Sequence, residues 1–201
     1  MITIHNFPRG ARGVRVAWLC EEMNLPYTVE KVTFPTDAAY RALNPLGSVP
    51  FLVDGDVRIN ESVAMLLHLA QRYGPTPLLP PPSDPAHGRA IQMTVFSEAT
   101  LGAGLNVLMA ARFAAPDADK ENWSVKFQRD RIDNALAYAE GVMAGHPFFA
   151  GSTFTIADIA MATALTMRRG ALGAEVPSGL SPWLERVLAR PAYTRAVERA
   201  A

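Results

Sequence analysis

Cysteine is almost missing from this chain. Cys20 is the only one among 201 residues, which excludes an intrachain disulfide framework and a multi-cysteine metal site and fits a reducing compartment. The four histidines, His5, His68, His87 and His146, show no ligand spacing, so no metal is expected. Net charge is lacking too. Nineteen Lys and Arg balance nineteen Asp and Glu, and no block of one sign occurs, so a polyanion such as nucleic acid meets no long-range attraction. No uninterrupted apolar run reaches the roughly eighteen residues of a membrane span. The opening MITIHNFPRG is too poor in apolar residues for a signal-peptide core, so the expectation is a soluble cytoplasmic protein with no membrane partner.

What is present is apolar side chain, 49% of the residues, enough for one large core or two small ones. Proline gathers in one place. The stretch GPTPLLPPPSDP holds six prolines in twelve residues, and proline both removes N–H donors and turns the preceding residue away from helix. We read a linker over residues 76–85, a first domain over 1–75 and a second over 86–201.

Before the linker, short strand and helix patterns alternate: ITIHN, a helix from about Arg12 to Asn24, YTVEKVTF, DAAYRAL, VPFLV, VRI and a helix from about Glu61 to Arg72. This βαβαββα order within one small domain is an α+β arrangement, with the DGD turn at 54–56 closing an antiparallel hairpin. After the linker strand signals cease. Ile132, Leu136, Ala139 and Met143 repeat along one helical face, and FTIADIAMATALTM at 154–167 is apolar on nearly every side, as a bundle's central helix would be. Thr155 and Asp158 stand three apart as a capping box flanked by Phe154 and Ile159, so Asp158 reads as a helix cap. Gly102 and Gly104, inside another helical pattern, mark a bend or close approach.

Three segments offer chemistry. In LNPLGSVPFLVDGD, Pro50 either simply begins a strand or follows a cis bond from Val49, which would turn the Val49 backbone groups toward an extended peptide-like ligand. In INESVAMLLHLA, Asn60 can serve as N-cap with Glu61 favourable to the helix dipole. Alternatively the Ser62 hydroxyl and the helix N-terminus hold a carboxylate while Glu61 holds an ammonium group, together gripping an α-amino acid head. The loop NFPRGARGV contains no hydroxyl, thiol, carboxylate or imidazole. Its Arg9, Gly10 and Gly13 lack the lysine and hydroxyl of a phosphate loop. Cys20, two turns into the following helix, reads as a small buried apolar residue.

GSVPFL, an acidic residue and serine opening a helix, a proline linker and TIADI in an all-α region stand in this order along nearly the whole chain. With WLCEEMNLPY near the start and PWLERVLARPAY near the end, the chain resembles the cytosolic glutathione transferases. The resemblance implies a thioredoxin-like first domain with a cis bond at Pro50, an all-α helical-bundle second domain, a homodimer and glutathione as co-substrate. It implies that Val49 bonds the cysteinyl part, that Glu61 and Ser62 hold the γ-glutamyl head, and that Ser48 stands where family members often carry Lys or Gln for the glycyl carboxylate. It also places Met109 and Phe113, with Phe7, beside the electrophile.

The loop departs from the family. Family members commonly place a Tyr, Ser or Cys there to stabilise the thiolate or to react in its place. Here Asn6 stands near the Tyr position, and Ala11, Arg12 and Gly13 stand at the Ser or Cys position. Thiol activation then falls to the Arg12 charge and the helix N-terminus, since nearby Arg and helix N-termini lower thiol pKa values, with Asn6 adding a neutral hydrogen bond. The expected function is attack of bound glutathione thiolate on small apolar electrophiles. The alternatives are a weakly active or non-catalytic glutathione-binding protein, and a glutathione-dependent disulfide reductase or isomerase, although the serine- and cysteine-bearing loop associated with isomerases is absent.

Overall fold

A computed structural model describes residues 1–8 and 12–200. The chain forms two compact units, Met1–Leu79 together with Val187–Ala201, and Pro80–Arg186. The first unit contains β1 (Ile2–Asn6), α1 (Gly13–Glu22), β2 (Tyr27–Lys31), α2 (Ala38–Leu43), β3 (Phe51–Asp54), β4 (Val57–Ile59) and α3 (Ser62–Arg72). This is the βαβαββα order read from the sequence. The sheet runs β2-β1-β3-β4, with β1 parallel to β2 and β3 antiparallel to both neighbours. Gly55, at φ 64°, makes the hairpin turn between β3 and β4. Ile2 and Ile4 of β1, Val16, Leu19 and Cys20 of α1 and Met65, Leu66 and Leu69 of α3 are all buried, and α1 packs on both β1 and α3.

The second unit is helical, and its long first helix runs through three segments: α4 (Pro85–Phe96), a π turn (Ser97–Gly102) and α5 (Ala103–Phe113). Asp84 caps it by accepting from Ala86 N at 2.8 Å, and Pro85 sits in the first turn, where its missing N–H leaves no gap. Because the π turn carries α4 into α5, Pro85–Phe113 is long enough to cross a membrane and holds an 18-residue window with a mean hydropathy of 1.2. Here the run packs on the rest of the bundle, α4 on α7 (Ile156–Leu172) and α5 on both α6 (Trp123–Met143) and α7. A Cβ on Gly104 would lie 2.9 Å from Ile132 Cγ1, so the glycine permits the close approach of α5 to α6. Ile132, Leu136, Ala139 and Met143 are buried, as their spacing predicts. Thr155 and Asp158 form the expected capping box. Asp158 does more than cap, since Oδ1 also accepts from Phe149 N at 3.1 Å and Trp183 Nε1 at 2.9 Å.

The compact units divide the chain differently from the sequence reading at its end. Beyond α8 (Ser181–Leu188), the last helix α9 (Pro191–Ala200) packs on α1. Tyr193 lies 4.8 Å from the Trp18 ring, Arg190 holds Glu22 through bonds of 2.6 and 2.7 Å, and Arg195 reaches Glu21 at 2.6 Å. These partners are about 170 residues apart in sequence, beyond the reach of any local pattern.

Candidate active site

The site is built in the first unit, where β1 ends, α1 begins, β3 begins and α3 begins. Asn6 closes β1 and is 1% exposed. Its side-chain amide lies so close to the first residue of α1 that a methyl group on Gly13 would overlap it. Glycine is therefore the residue that lets the end of the strand meet the start of the helix. Both polar atoms of the Asn6 amide are buried without a hydrogen-bond partner among the described residues. Arg12 is the N-cap residue of α1, half-buried, with its carbonyl accepting from Arg15 N at 3.3 Å. Ala11 and the Arg9–Gly10 segment weighed as a phosphate loop lie outside the described residues.

Arg15, which sequence reasoning passed over, is fully buried. Its Nη1 donates to Ser62 Oγ at 3.1 Å, tying α1 to the first residue of α3. A signal was present: Arg15, Val16, Leu19 and Cys20 share one helical face, and a charged residue on a buried face needs a partner.

The start of α3 corrects one expectation. Glu61, not Asn60, occupies the N-cap position and makes no side-chain capping bond. Asn60 is held elsewhere, its Oδ1 accepting from Ser48 Oγ at 3.4 Å. Ser62 is 3% exposed whereas Glu61 is exposed, so a carboxyl side chain faces solvent beside a buried hydroxyl whose oxygen already accepts from a guanidinium.

The Val49–Pro50 bond is cis. The chain ahead of it is braced by two side chains, since the Ser48 carbonyl accepts from Tyr40 Oη at 2.6 Å and Asn44 Nδ2 at 2.9 Å. Neither brace was foreseen, because each depends on where α2 sits beneath the loop. Antiparallel register pairs His5 with Phe51, which brings the residues just after β1 alongside those just before β3. Phe7 and Val49 accordingly pack on one cluster, Val32, Tyr40 and Phe51. Phe7 also meets Phe34 edge-on at 5.7 Å. The other expected pocket residues belong to the second unit, where Met109 is half-buried and Phe113 is 68% exposed with Arg112 over its ring.

The remaining titratable groups separate from this site. Burial pushes the Cys20 thiol up to about 12, which removes it as a nucleophile. Among the described residues no group of three or more His, Cys, Asp or Glu is arranged to hold a metal. Asp54, at the end of β3, is buried and takes Tyr73 Oη at 2.7 Å, His68 Nε2 at 2.9 Å and Arg72 Nε at 3.2 Å, locking the hairpin to the end of α3. Burial opposes its ionisation, but the bonds from Tyr73 and His68 and the Arg72 charge together outweigh burial and hold its carboxyl below the usual range.

A family model described as "Glutathione S-transferase, N-terminal domain" matches residues 4–77, and one described as "Glutathione S-transferase, C-terminal domain" matches residues 105–191. Glutathione S-transferase 3 of Schizosaccharomyces pombe is 30% identical over 99% of this chain and 88% of its own length. Glutathione S-transferase 3 of Zea mays is 30% identical over 98% of this chain and 93% of its own. Among solved structures, the theta class glutathione S-transferase from the citrus canker pathogen Xanthomonas axonopodis pv. citri, solved with glutathione bound, is 29% identical. It superposes with a TM-score of 0.80 over 98% of this chain and 96% of that one.

Proposed function

This chain belongs to the glutathione S-transferase family, and we propose that it transfers glutathione to small apolar electrophiles, with the thiol activated by charge instead of a hydroxyl. The observation that carries the reading is the Arg15–Ser62 contact. Because Ser62 Oγ accepts from the buried guanidinium, its own O–H remains a donor for a carboxylate at the start of α3. Glu61 supplies the opposite charge for the ammonium group of the same γ-glutamyl head. The Val49 backbone serves the cysteinyl part, and Ser48 serves the glycyl end. The thiol then lies toward the start of α1, where Arg12 and the helix dipole favour its anion.

In the reaction the thiol loses its proton to solvent and the sulfur electron pair forms a C–S bond. The leaving group departs with the bonding pair of the carbon attacked. Rate comes from the raised thiolate fraction and from holding both reactants together. Glu61→Gln should weaken glutathione binding in calorimetry without unfolding the chain, and conjugation to an aromatic chloride should be measurable but slow. Unchanged affinity in Glu61→Gln would remove the head-group assignment.

A second reading, a glutathione-binding protein without turnover, draws support from Asn6, an amide where the family commonly places a hydroxyl. Absence of conjugation with any of a panel of electrophiles, peroxides and disulfides, despite glutathione binding, would favour it. On the same family grounds we expect a homodimer working in the cytoplasm, and a monomer mass by light scattering at micromolar concentration would contradict the dimer.

A further inference from the structure

Tyr40 lies in α2, and Asn44 follows the last residue of that helix, one turn further on. The helix is short but held at both ends: Asp37 Oδ1 accepts from Tyr40 N at 2.7 Å, and Asn44 N donates to Tyr40 O at 2.8 Å. Both side chains are buried, so their polar atoms need partners inside the protein. They converge on one atom. The Ser48 carbonyl oxygen accepts from Tyr40 Oη at 2.6 Å and from Asn44 Nδ2 at 2.9 Å, and Asn44 Nδ2 also lies 3.3 Å from Tyr40 Oη. Burial pushes the Tyr40 phenol up, against a smaller lowering by the Asn44 bond, so the hydroxyl keeps the proton it donates.

The Ser48 carbonyl and the Val49 N–H are the two ends of one peptide unit. That unit is planar and trans, so its N–H points opposite to its carbonyl. Two donors on the oxygen therefore fix the plane and aim the Val49 N–H away from α2. They also polarise the unit, because hydrogen bonds in a chain strengthen one another, and this makes the N–H a better donor. The flanking side chains hold the same unit: Ser48 Oγ donates to Asn60 Oδ1 at 3.4 Å, and Val49 packs on Val32, Tyr40 and Phe51. Among the described residues, however, no backbone bond occupies the Val49 N–H or the Val49 carbonyl. A half-buried donor needs a partner, and one fixed in advance binds a ligand with little ordering cost.

We propose that Tyr40 and Asn44 are positioning residues for glutathione, which act through the Ser48–Val49 peptide to set the Val49 N–H as donor to the cysteinyl carbonyl. This role rests on the glutathione reading above and adds to it two residues that do not touch the ligand.

Calorimetry on the full chain compares S-methylglutathione with an analogue in which a trans alkene replaces the cysteinyl–glycyl amide, removing the cysteinyl carbonyl. Tyr40→Phe and Asn44→Ala should each bind S-methylglutathione roughly threefold to tenfold more weakly than wild type does, the share of one hydrogen bond. Both variants should bind the alkene analogue as wild type does, whereas a merely structural role would weaken the two ligands alike. In nitrogen–proton correlation spectra, S-methylglutathione should move the Val49 amide proton of wild type downfield, by less in Tyr40→Phe, and the alkene analogue should not. Failure of wild type to bind S-methylglutathione would end the glutathione reading and this role with it. Where wild type binds, the positioning role alone is overturned by unchanged S-methylglutathione affinity in the folded variants, by equal losses for the two ligands, or by a Val49 amide that moves equally with both. Should Asn44→Ala fail to fold, Tyr40→Phe, which keeps the ring and leaves the Ser48 carbonyl its Asn44 bond, decides by itself.

Discussion

Arg15 Nη1 donates to Ser62 Oγ at 3.1 Å across 47 residues of sequence, with both side chains buried. The contact sets a permanent positive charge directly behind the hydroxyl that opens α3. An isolated buried guanidinium is costly, so the pair serves the packing of α1 on α3 as well as the anion site proposed in front of Ser62.

Ser62→Ala should therefore weaken glutathione binding by about 1.5–3 kcal/mol, the value of a hydrogen bond to a charged group. Arg15→Met should weaken it as well, and the double variant should lose less than the sum, because the two residues share one bond. A glutathione analogue without the γ-glutamyl α-carboxylate should bind wild type and Ser62→Ala equally. Calorimetry on the three variants with both ligands checks this, and an equal loss for the two ligands in Ser62→Ala would count against a carboxylate contact.

Arg12→Ala should raise the thiol pKa of bound glutathione and slow turnover at neutral pH while leaving affinity for S-methylglutathione, which has no thiolate, nearly unchanged. Asn6→Ala should act in the same direction but less, since a neutral donor stabilises an anion less than a cation does. Ultraviolet thiolate absorbance against pH separates the two effects. An unshifted titration in Arg12→Ala would end the role given to its charge.

Gly13→Ala should destabilise the fold by about 1–3 kcal/mol, the usual cost of overpacking a tight contact. The added methyl overlaps the Asn6 amide, which is enclosed and has nowhere open to turn. The pair Gly13→Ala with Asn6→Ala should recover part of the loss, read from urea midpoints. Additive losses would show that the clash lies elsewhere.

Asp54 predicts an acid limb in the stability profile. Its folded pKa is depressed by Tyr73, His68 and Arg72 acting against burial, so the unfolded state binds the proton first. Its contribution is complete above the unfolded value of about 3.9 and is lost as pH falls through the lower folded value. Melting temperatures in the acid range should fall less steeply in Asp54→Asn, which starts lower at neutral pH. Tyr73→Phe should show a smaller change of the same kind. Parallel profiles for wild type and Asp54→Asn would contradict the linkage.

Much of the architecture was legible in local pattern. The alternation of short strands and helices before the prolines, the inward face Ile132, Leu136, Ala139 and Met143, and the Thr155–Asp158 box are near-neighbour properties. Backbone geometry and hydrogen bonding within a few residues determine them. Local pattern also placed a carboxylate and a hydroxyl, Glu61 and Ser62, at the start of α3, and the head-group role is the one proposed for them. The cis bond at Val49–Pro50 came from family resemblance and not from spacing. Local pattern misassigned the cap to Asn60, because nothing nearby reveals that Ser48, twelve residues earlier, bonds its side chain.

Tertiary structure alone decided the rest. Arg15 meets Ser62 because α1 and α3 pack against each other. Tyr40 and Asn44 fix the Ser48 carbonyl because α2 lies beneath that loop. Asp158 gains Trp183 as a donor because α8 folds back toward the start of α7, and α9 returns to α1 through Arg190 and Arg195. A charged or polar side chain states in sequence only that it needs a partner when buried. Which partner it finds depends on how elements dozens of residues apart pack together.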